Sequence, residues 1–214
     1  KEGTSFFLSG QEVFTKPLPQ RIVVLYALVT NFNIFEDWEN YRVTLGGKLP
    51  FLVIQSLIYY SSVYLLYKQI IKYFSPTINL LIVGFLCLEP TILQYHSSFW
   101  TESFYFSLQI IIFSIILDDS EKKRKFVLLG LMLGLLFLQR SIGIFYIFII
   151  LFYYIFLEKK NKLLKVSIIL FVYIIVCLSL GLHNYKRAGI FYIMPTEGKY
   201  GMYKYFAKNI LVES

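Results

Sequence analysis

An all-α fold, a polytopic transmembrane helical bundle of about six spans, is what three observations on this chain predict. Of its 214 residues, 57% are hydrophobic, 19% are aromatic and only 16% are charged. Soluble domains carry about 45–50% apolar and about 25% charged residues, so the excess calls for a lipid solvent. The apolar residues also fall into long uncharged runs, and the basic residues gather between those runs. With few breakers and two cysteines, the pattern excludes a coiled coil, a disordered tail and a disulfide-stapled secreted domain.

The opening stretch, 1–49, is polar until Arg21 and then reads IVVLYALVTNFNIF from Ile22 to Phe35. At about 1.5 Å per residue this run covers only about two thirds of a hydrocarbon core roughly 30 Å thick. It is expected to be an outer-face loop carrying an interfacial helix over about 19–35. Pro17 and Pro19 would precede that helix, and Glu36, Asp37 and Glu39 would stop it. A buried helix of an outer domain is the alternative.

The bundle itself is expected over 50–182. Six runs come near the length of a span: Pro50 to Tyr67, Thr77 to Leu93, Phe99 to Leu117, Phe126 to Gln139, Ser141 to Leu157 and Val166 to Leu182. The fourth and fifth are separated only by Gln139 and Arg140, and together they are too long for one crossing. They read as a hairpin turning at the arginine, with one long tilted helix as the alternative. An outer-face segment, 183–214, would follow the last span.

Orientation follows from the connections, because short loops rich in Lys and Arg stay cytoplasmic. Lys68 and Lys72 follow the first run, Lys122, Lys123, Arg124 and Lys125 the third, and Lys159, Lys160, Lys162 and Lys165 the fifth. The intervening turns hold no Lys or Arg from Gln94 to Glu102, and only Arg140 in the other case. Both ends of the chain are therefore expected to face outward. The net charge of +8 is then mostly a set of topology anchors that favours anionic headgroups at the inner face as partners, with no nucleic acid. Cys87 and Cys177 lie in apolar runs without a CxxC pair and carry no redox or metal message. A start at Lys-Glu-Gly, without methionine or a signal core, reads as an internal fragment of a longer protein.

Ionisable groups at membrane depth are costly and so mark candidate function. In this topology Glu89 lies near the outer end of the second run, and His96 and Glu102 lie in the next turn. Arg140 sits at the hairpin tip, and His183, Lys186 and Arg187 just past the last run. All point to one side, and none sits at a midplane. Carboxylate, imidazole, guanidinium and ammonium groups at one face suit an amphiphile with an anionic headgroup; helix ends wetting in water are the plain alternative. Glu102 has a plain account as a first-turn acid behind an N-cap Thr101. Arg140 either snorkels or grips phosphate oxygens with its planar fork. Neither histidine has a second ligand at metal spacing, so no metal site is nominated, and His96 alone reads as a hydrogen-bonded interface residue. The aromatic residues of 145–154 read as lipid-facing or core packing before any prenyl groove.

The order of these pieces resembles the GT-C superfamily of integral-membrane glycosyltransferases, in the branch of protein mannosyltransferases and lipid A aminoarabinose transferases. Four stretches carry the resemblance. KPLPQRIVVLYALVTNF, Lys16 to Phe32, is similar to that family's first outer loop with its interfacial helix. LEPTILQYHSSFWTESFYFSL, Leu88 to Leu108, matches at Pro90, Tyr95, Thr101 and Glu102. GLMLGLLFLQRSIG, Gly130 to Gly143, resembles GLLLGLAxLTRPxG, with Gln139 and Ser141 replacing Thr and Pro. HNYKRAGIFYIMPTEG, His183 to Gly198, keeps Asn184, Tyr185, Gly189, Phe191, Thr196 and Gly198, with His183 where arginine is usual.

The resemblance implies transfer of a sugar from a polyprenyl-phosphate donor to a glycan, lipid or protein acceptor at the outer face of a membrane; Lys and Ile richness with sparse Ala suggests an AT-rich bacterial genome and so a bacterial inner membrane. It implies Arg140, with Lys186 and Arg187, as donor-phosphate ligands. Glu102 would orient the donor or a divalent cation, supported by His96, His183, Asn184 and Tyr185. The catalytic residue is unassigned, because the acidic group that the family would use falls upstream of the stretch matching Lys1. A transporter or flippase for a lipid-linked or envelope component is the alternative; such proteins place ionisable groups near the midplane, which the runs here lack.

The orientation is testable directly: cysteines placed at Lys123 and Lys199 should be labelled by an impermeant reagent from the inner and the outer face respectively. The reverse pattern would overturn the arrangement of the polar residues.

Overall fold

The computed structural model describes residues 35–37, 42–43, 45–97, 102–158, 160–188, 191 and 193. They fall into two compact units, one drawn from 35–132 and the other from 133–193. The described chain is helical except for one short antiparallel pair, β1 (Phe35–Asp37) and β2 (Arg42–Val43), with Phe35 opposite Val43 and Asp37 opposite Arg42. Phe35 thus belongs to a strand and not to the end of an interfacial helix; the rest of that expected helix lies outside the described residues.

In the first unit, α1 (Leu45–Ile70) is a helix of 26 residues, about 39 Å long. It begins ahead of the predicted Pro50. A turn then leads to Ser75, whose hydroxyl accepts from the Ile78 amide at 3.5 Å, with Pro76 next, the usual opening of a helix. That helix, α2 (Pro76–Leu88), returns antiparallel to α1, and the Tyr59 hydroxyl donates to the Leu86 carbonyl at 2.7 Å. Pro90 forces Glu89 into extended backbone (φ −61°, ψ 121°) and ends the helix. The chain restarts at once as α3 (Pro90–Ser97).

α4 (Glu102–Leu117) packs parallel to α1. Phe51 meets Phe104 edge-on at 5.9 Å near one end, and the Tyr73 hydroxyl reaches the Leu117 carbonyl at 3.1 Å and Asp119 Oδ1 at 2.6 Å at the other. Between them Tyr59, Val63 and Ile110 form the buried core. Lys72, 3.9 Å from Asp119, and Lys125 lie at the Tyr73 end. Lys125, read from the sequence only as a topology anchor, donates to the carbonyls of Ile116 and Asp118 and so caps the last turn of α4.

α5 (Lys123–Gln139) leads from the first unit into the second. Arg140 is extended (φ −150°, ψ 137°), and a 3-10 turn, Ser141–Gly143, opens α6 (Ile144–Phe152), which finishes in a π turn, Tyr153–Leu157. The two runs are therefore not one long helix. Gly143 is required at the break: a Cβ there would stand 2.8 Å from the Leu136 carbonyl. Asn161 takes φ 51°, a left-handed value Asn tolerates, before α7 (Lys162–Ala188), of 27 residues. At its start Lys165, expected in a solvated loop, is 3% exposed and lies 3.4 Å from Glu158. A buried ammonium is tolerable only with such a partner.

Among the described residues two helical stretches, Pro76–Gln94 and Lys162–Leu182, have the length and apolarity to cross a membrane; Glu102–Leu117 and Ser141–Leu157 are apolar but shorter. Leu80, Phe85 and Leu88 on α2 are 73%, 67% and 72% exposed, a surface that calls for lipid or protein cover. Six crossings remain an expectation.

Gly134 supplies a control-matched test of packing. A Cβ at Gly134 would lie 2.6 Å from Val176, while one at Gly84 would meet nothing within 4 Å. Gly134→Leu should destabilise the detergent-solubilised protein by about 1–3 kcal/mol or more through overpacking, read as earlier thermal loss of the monodisperse peak. Gly84→Leu should leave that temperature unchanged.

Candidate functional site

Each unit presents its own part of the predicted polar set. In the first, Glu102 occupies the first turn of α4 and is 9% exposed, followed by buried Ser103, Phe104 and Tyr105. It is not a helix end wetting in water. Helix amide groups and the positive end of the helix dipole favour a carboxylate there. The parallel packing of α1 and α4 sets Glu102 at the end opposite Tyr73, Asp119, Lys72 and Lys125. Thr101, its expected cap, lies outside the described residues. His96 falls in α3, and its side chain lies outside the description.

Glu89 departs from the reading of the sequence. Three residues before it, Leu86 is bonded to Tyr59, so Glu89 stands roughly beside the middle of α1 and not near the outer end of a span. Its Oε2 accepts from the Ile92 amide at 2.7 Å, and its own amide donates to Phe85 O at 2.9 Å. One residue thus closes α2 and caps α3. A mid-helix carboxylate is supportable because the broken helix supplies it with donors.

In the second unit the break at Arg140 is the principal feature. Its amide donates to Leu136 O at 3.1 Å and its carbonyl accepts from Gly143 at 2.9 Å, which leaves the half-buried side chain at the exit of α5. Gln139, just before it, is completely buried. α5 crosses α7 where Gly134 meets Val176. Beyond the crossing, Phe137 and Leu138 of one helix and Cys177 and Leu180 of the other bury one another. The cluster ties the stretch leading to Arg140 to the stretch leading to Tyr185 and Lys186. α7 continues past Leu182 to Ala188, so His183, Asn184, Tyr185, Lys186 and Arg187 extend the last apolar run as helix. Tyr185 and Lys186 are exposed. Cations in a last turn complement the helix dipole, while the side chains of His183, Asn184 and Arg187 lie outside the description. Phe191 and Ile193 fold back onto Gly181, where a Cβ would come within 2.6 Å of the Phe191 ring.

A family model described as dolichyl-phosphate-mannose-protein mannosyltransferase matches residues 41–183. The chain belongs to this family. No curated protein and no solved structure matches it. Members of the mannosyltransferase family are integral to membranes, and membership implies glycosyltransferase activity in general terms, with a lipid-linked sugar as donor. The matched stretch includes Glu102 and the Arg140 break. Among the described residues no three His, Cys, Asp or Glu side chains gather as a metal site.

Sequence reasoning overlooked Gln55 and Tyr59 and took Gln139 only as an interruption and a motif departure; all three are completely buried. The available signal was that a polar side chain inside an apolar run must find a partner from the chain itself. If Glu102 serves the start of α4, Glu102→Gln should lower thermal stability by about 1 kcal/mol, the ordinary worth of a charge at a helix N-terminus. An unchanged melting profile would remove that structural role.

Proposed function

We propose that this chain is part of a membrane glycosyltransferase that moves a sugar from a polyprenyl-phosphate donor to an acceptor at the outer face, with Arg140 gripping the donor phosphate. The observation that carries this reading is the break at Arg140. Extended backbone between two apolar helices sets a half-buried arginine at a helix exit, inside the stretch matched by the family. Planar guanidinium forks bind phosphate oxygens bidentately. As the sugar leaves, negative charge builds on the lipid phosphate, and a cation held in place beforehand stabilises that charge without reorganising. Lys186 and Arg187, on the helix joined to α5 by the Phe137–Leu180 cluster, would add to the field. Glu102 would orient the donor from its helix N-terminus, with His96, His183, Asn184 and Tyr185 in support. Deprotonation of the acceptor hydroxyl falls to a carboxylate that we leave unassigned. The segments 1–49 and 183–214 would face the same side as Arg140.

The transporter reading gains one observation: Glu89, at a broken helix beside the middle of α1, is the kind of feature transporters use. Its engagement by the Ile92 amide supports capping instead, and the family favours transfer.

With the full-length protein in membranes and a labelled polyprenyl-phosphate sugar, Arg140→Ala should cut transfer at least a hundredfold, in line with loss of a preorganised donor to developing charge, while expression stays normal. Arg140→Lys should recover part of it. Undiminished transfer by Arg140→Ala would remove the phosphate role.

A further inference from the structure

The hairpin of α1 and α2 leaves a groove of about 730 Å3 along its side, a volume in the range that holds small ligands. Tyr60, Tyr64 and Tyr67 form one wall, and Asn79, Leu80 and Val83 the other. Its sides are open to the surroundings: Tyr64 is 55% exposed and Leu80 73%.

Two polar features at the turn end of the hairpin point to what fills it. Asn79 is 4% exposed; its Nδ2 donates to the Phe74 carbonyl at 3.0 Å, but its buried Oδ1 accepts from no group among the described residues. A buried acceptor left this way calls for a donor from outside the chain. In the last turn of α1, Lys68 holds its ammonium 4.8 Å from the centroid of the Tyr64 ring that walls the groove. Among the described residues Lys68 has no acidic partner, whereas Lys72 is near Asp119. The walls therefore suit a hydrocarbon chain, the ammonium suits an anion, and the Asn79 oxygen suits a hydroxyl donor.

We infer that the groove binds an anionic glycerophospholipid whose headgroup carries hydroxyl groups, the chemistry of phosphatidylglycerol. An acyl chain lies along the tyrosine wall, the phosphate pairs with Lys68, and a headgroup hydroxyl donates to Asn79 Oδ1. The ligand comes from whichever leaflet the α1–α2 turn reaches. Nothing in this inference depends on the transferase reading or on the orientation of the chain.

Native mass spectrometry of the detergent-solubilised full chain, titrated with dioleoylphosphatidylglycerol or dioleoylphosphatidylcholine, tests it. The anionic lipid should be retained preferentially. Lys68→Ala should weaken that retention about fivefold, the usual worth of one lysine facing an anionic lipid. Leu80→Trp, at an exposed position where the fold tolerates bulk, should block retention of both lipids. Asn79→Leu should narrow the preference for phosphatidylglycerol over phosphatidylcholine. Equal retention of the two lipids, Lys68→Ala and Leu80→Trp proteins that bind like the parent, or displacement of the lipid by millimolar inorganic phosphate would each overturn the proposal. So would a dimer lost on Leu80→Trp with lipid retention intact, which would make the groove a contact between copies.

Discussion

Hydrocarbon offers no hydrogen bonds, so every polar group placed in it must be satisfied by the chain. Much of the way these helices meet follows from that constraint. Tyr59 is wholly buried and spends its hydroxyl on the Leu86 carbonyl, which fixes how far α2 slides along α1. Ser62 and Ser107 return their hydroxyls to the carbonyls of Tyr59 and Ser103 in their own helices. Lys125 closes the open carbonyls at the foot of α4, and Lys165 is buried only beside Glu158. Where a helix is interrupted, at Glu89 and at Arg140, the freed backbone groups are taken up within a turn on either side.

Those interruptions give a membrane protein places to expose chemistry. An unbroken helix uses its backbone internally and offers only side chains to a ligand. At Glu89 the restart of α3 consumes the carboxylate. At Arg140 the backbone closes on Leu136 and Gly143, and the half-buried guanidinium takes no part in capping the turn that follows. The same local event thus yields a structural residue in one case and a candidate ligand in the other. The difference lies in the side chains: a carboxylate accepts from the open amides of the helix that follows, whereas a guanidinium only donates and cannot cap them.

Much of the helix plan was legible in the primary structure because apolar run length maps directly onto helix length. The break at Gln139–Arg140 was visible as polarity and charge, whereas the one at Glu89–Pro90 falls inside the second run, Thr77 to Leu93, which was read straight through its proline. The small-residue pattern of Gly130 to Gly143 entered only through the family resemblance, and its packing reason did not show: Gly134 admits Val176 and Gly143 admits the backbone of Leu136. These contacts join residues far apart in sequence, or on either side of a break, and periodicity carries no information about them. The strand pair at Phe35–Asp37 and Arg42–Val43 was missed for the same reason, since a two-residue ladder is specified by its partner more than by its own composition.

By itself the amino-acid sequence determined the solvent, the helical class, the gathering of Lys and Arg between apolar runs, and Glu102 and Arg140 as residues to question. Composition and spacing are local quantities and suffice for these. Only the tertiary structure decided that Glu102 is buried at a helix start, that Glu89 caps a restarted helix beside the middle of α1, that Lys165 is buried against Glu158, and that a groove between α1 and α2 ends at Asn79. Each of these depends on which helix lies alongside which and at what height. That is set by the pairing of buried polar groups and the close approach of glycines across the fold, which no single run of residues contains.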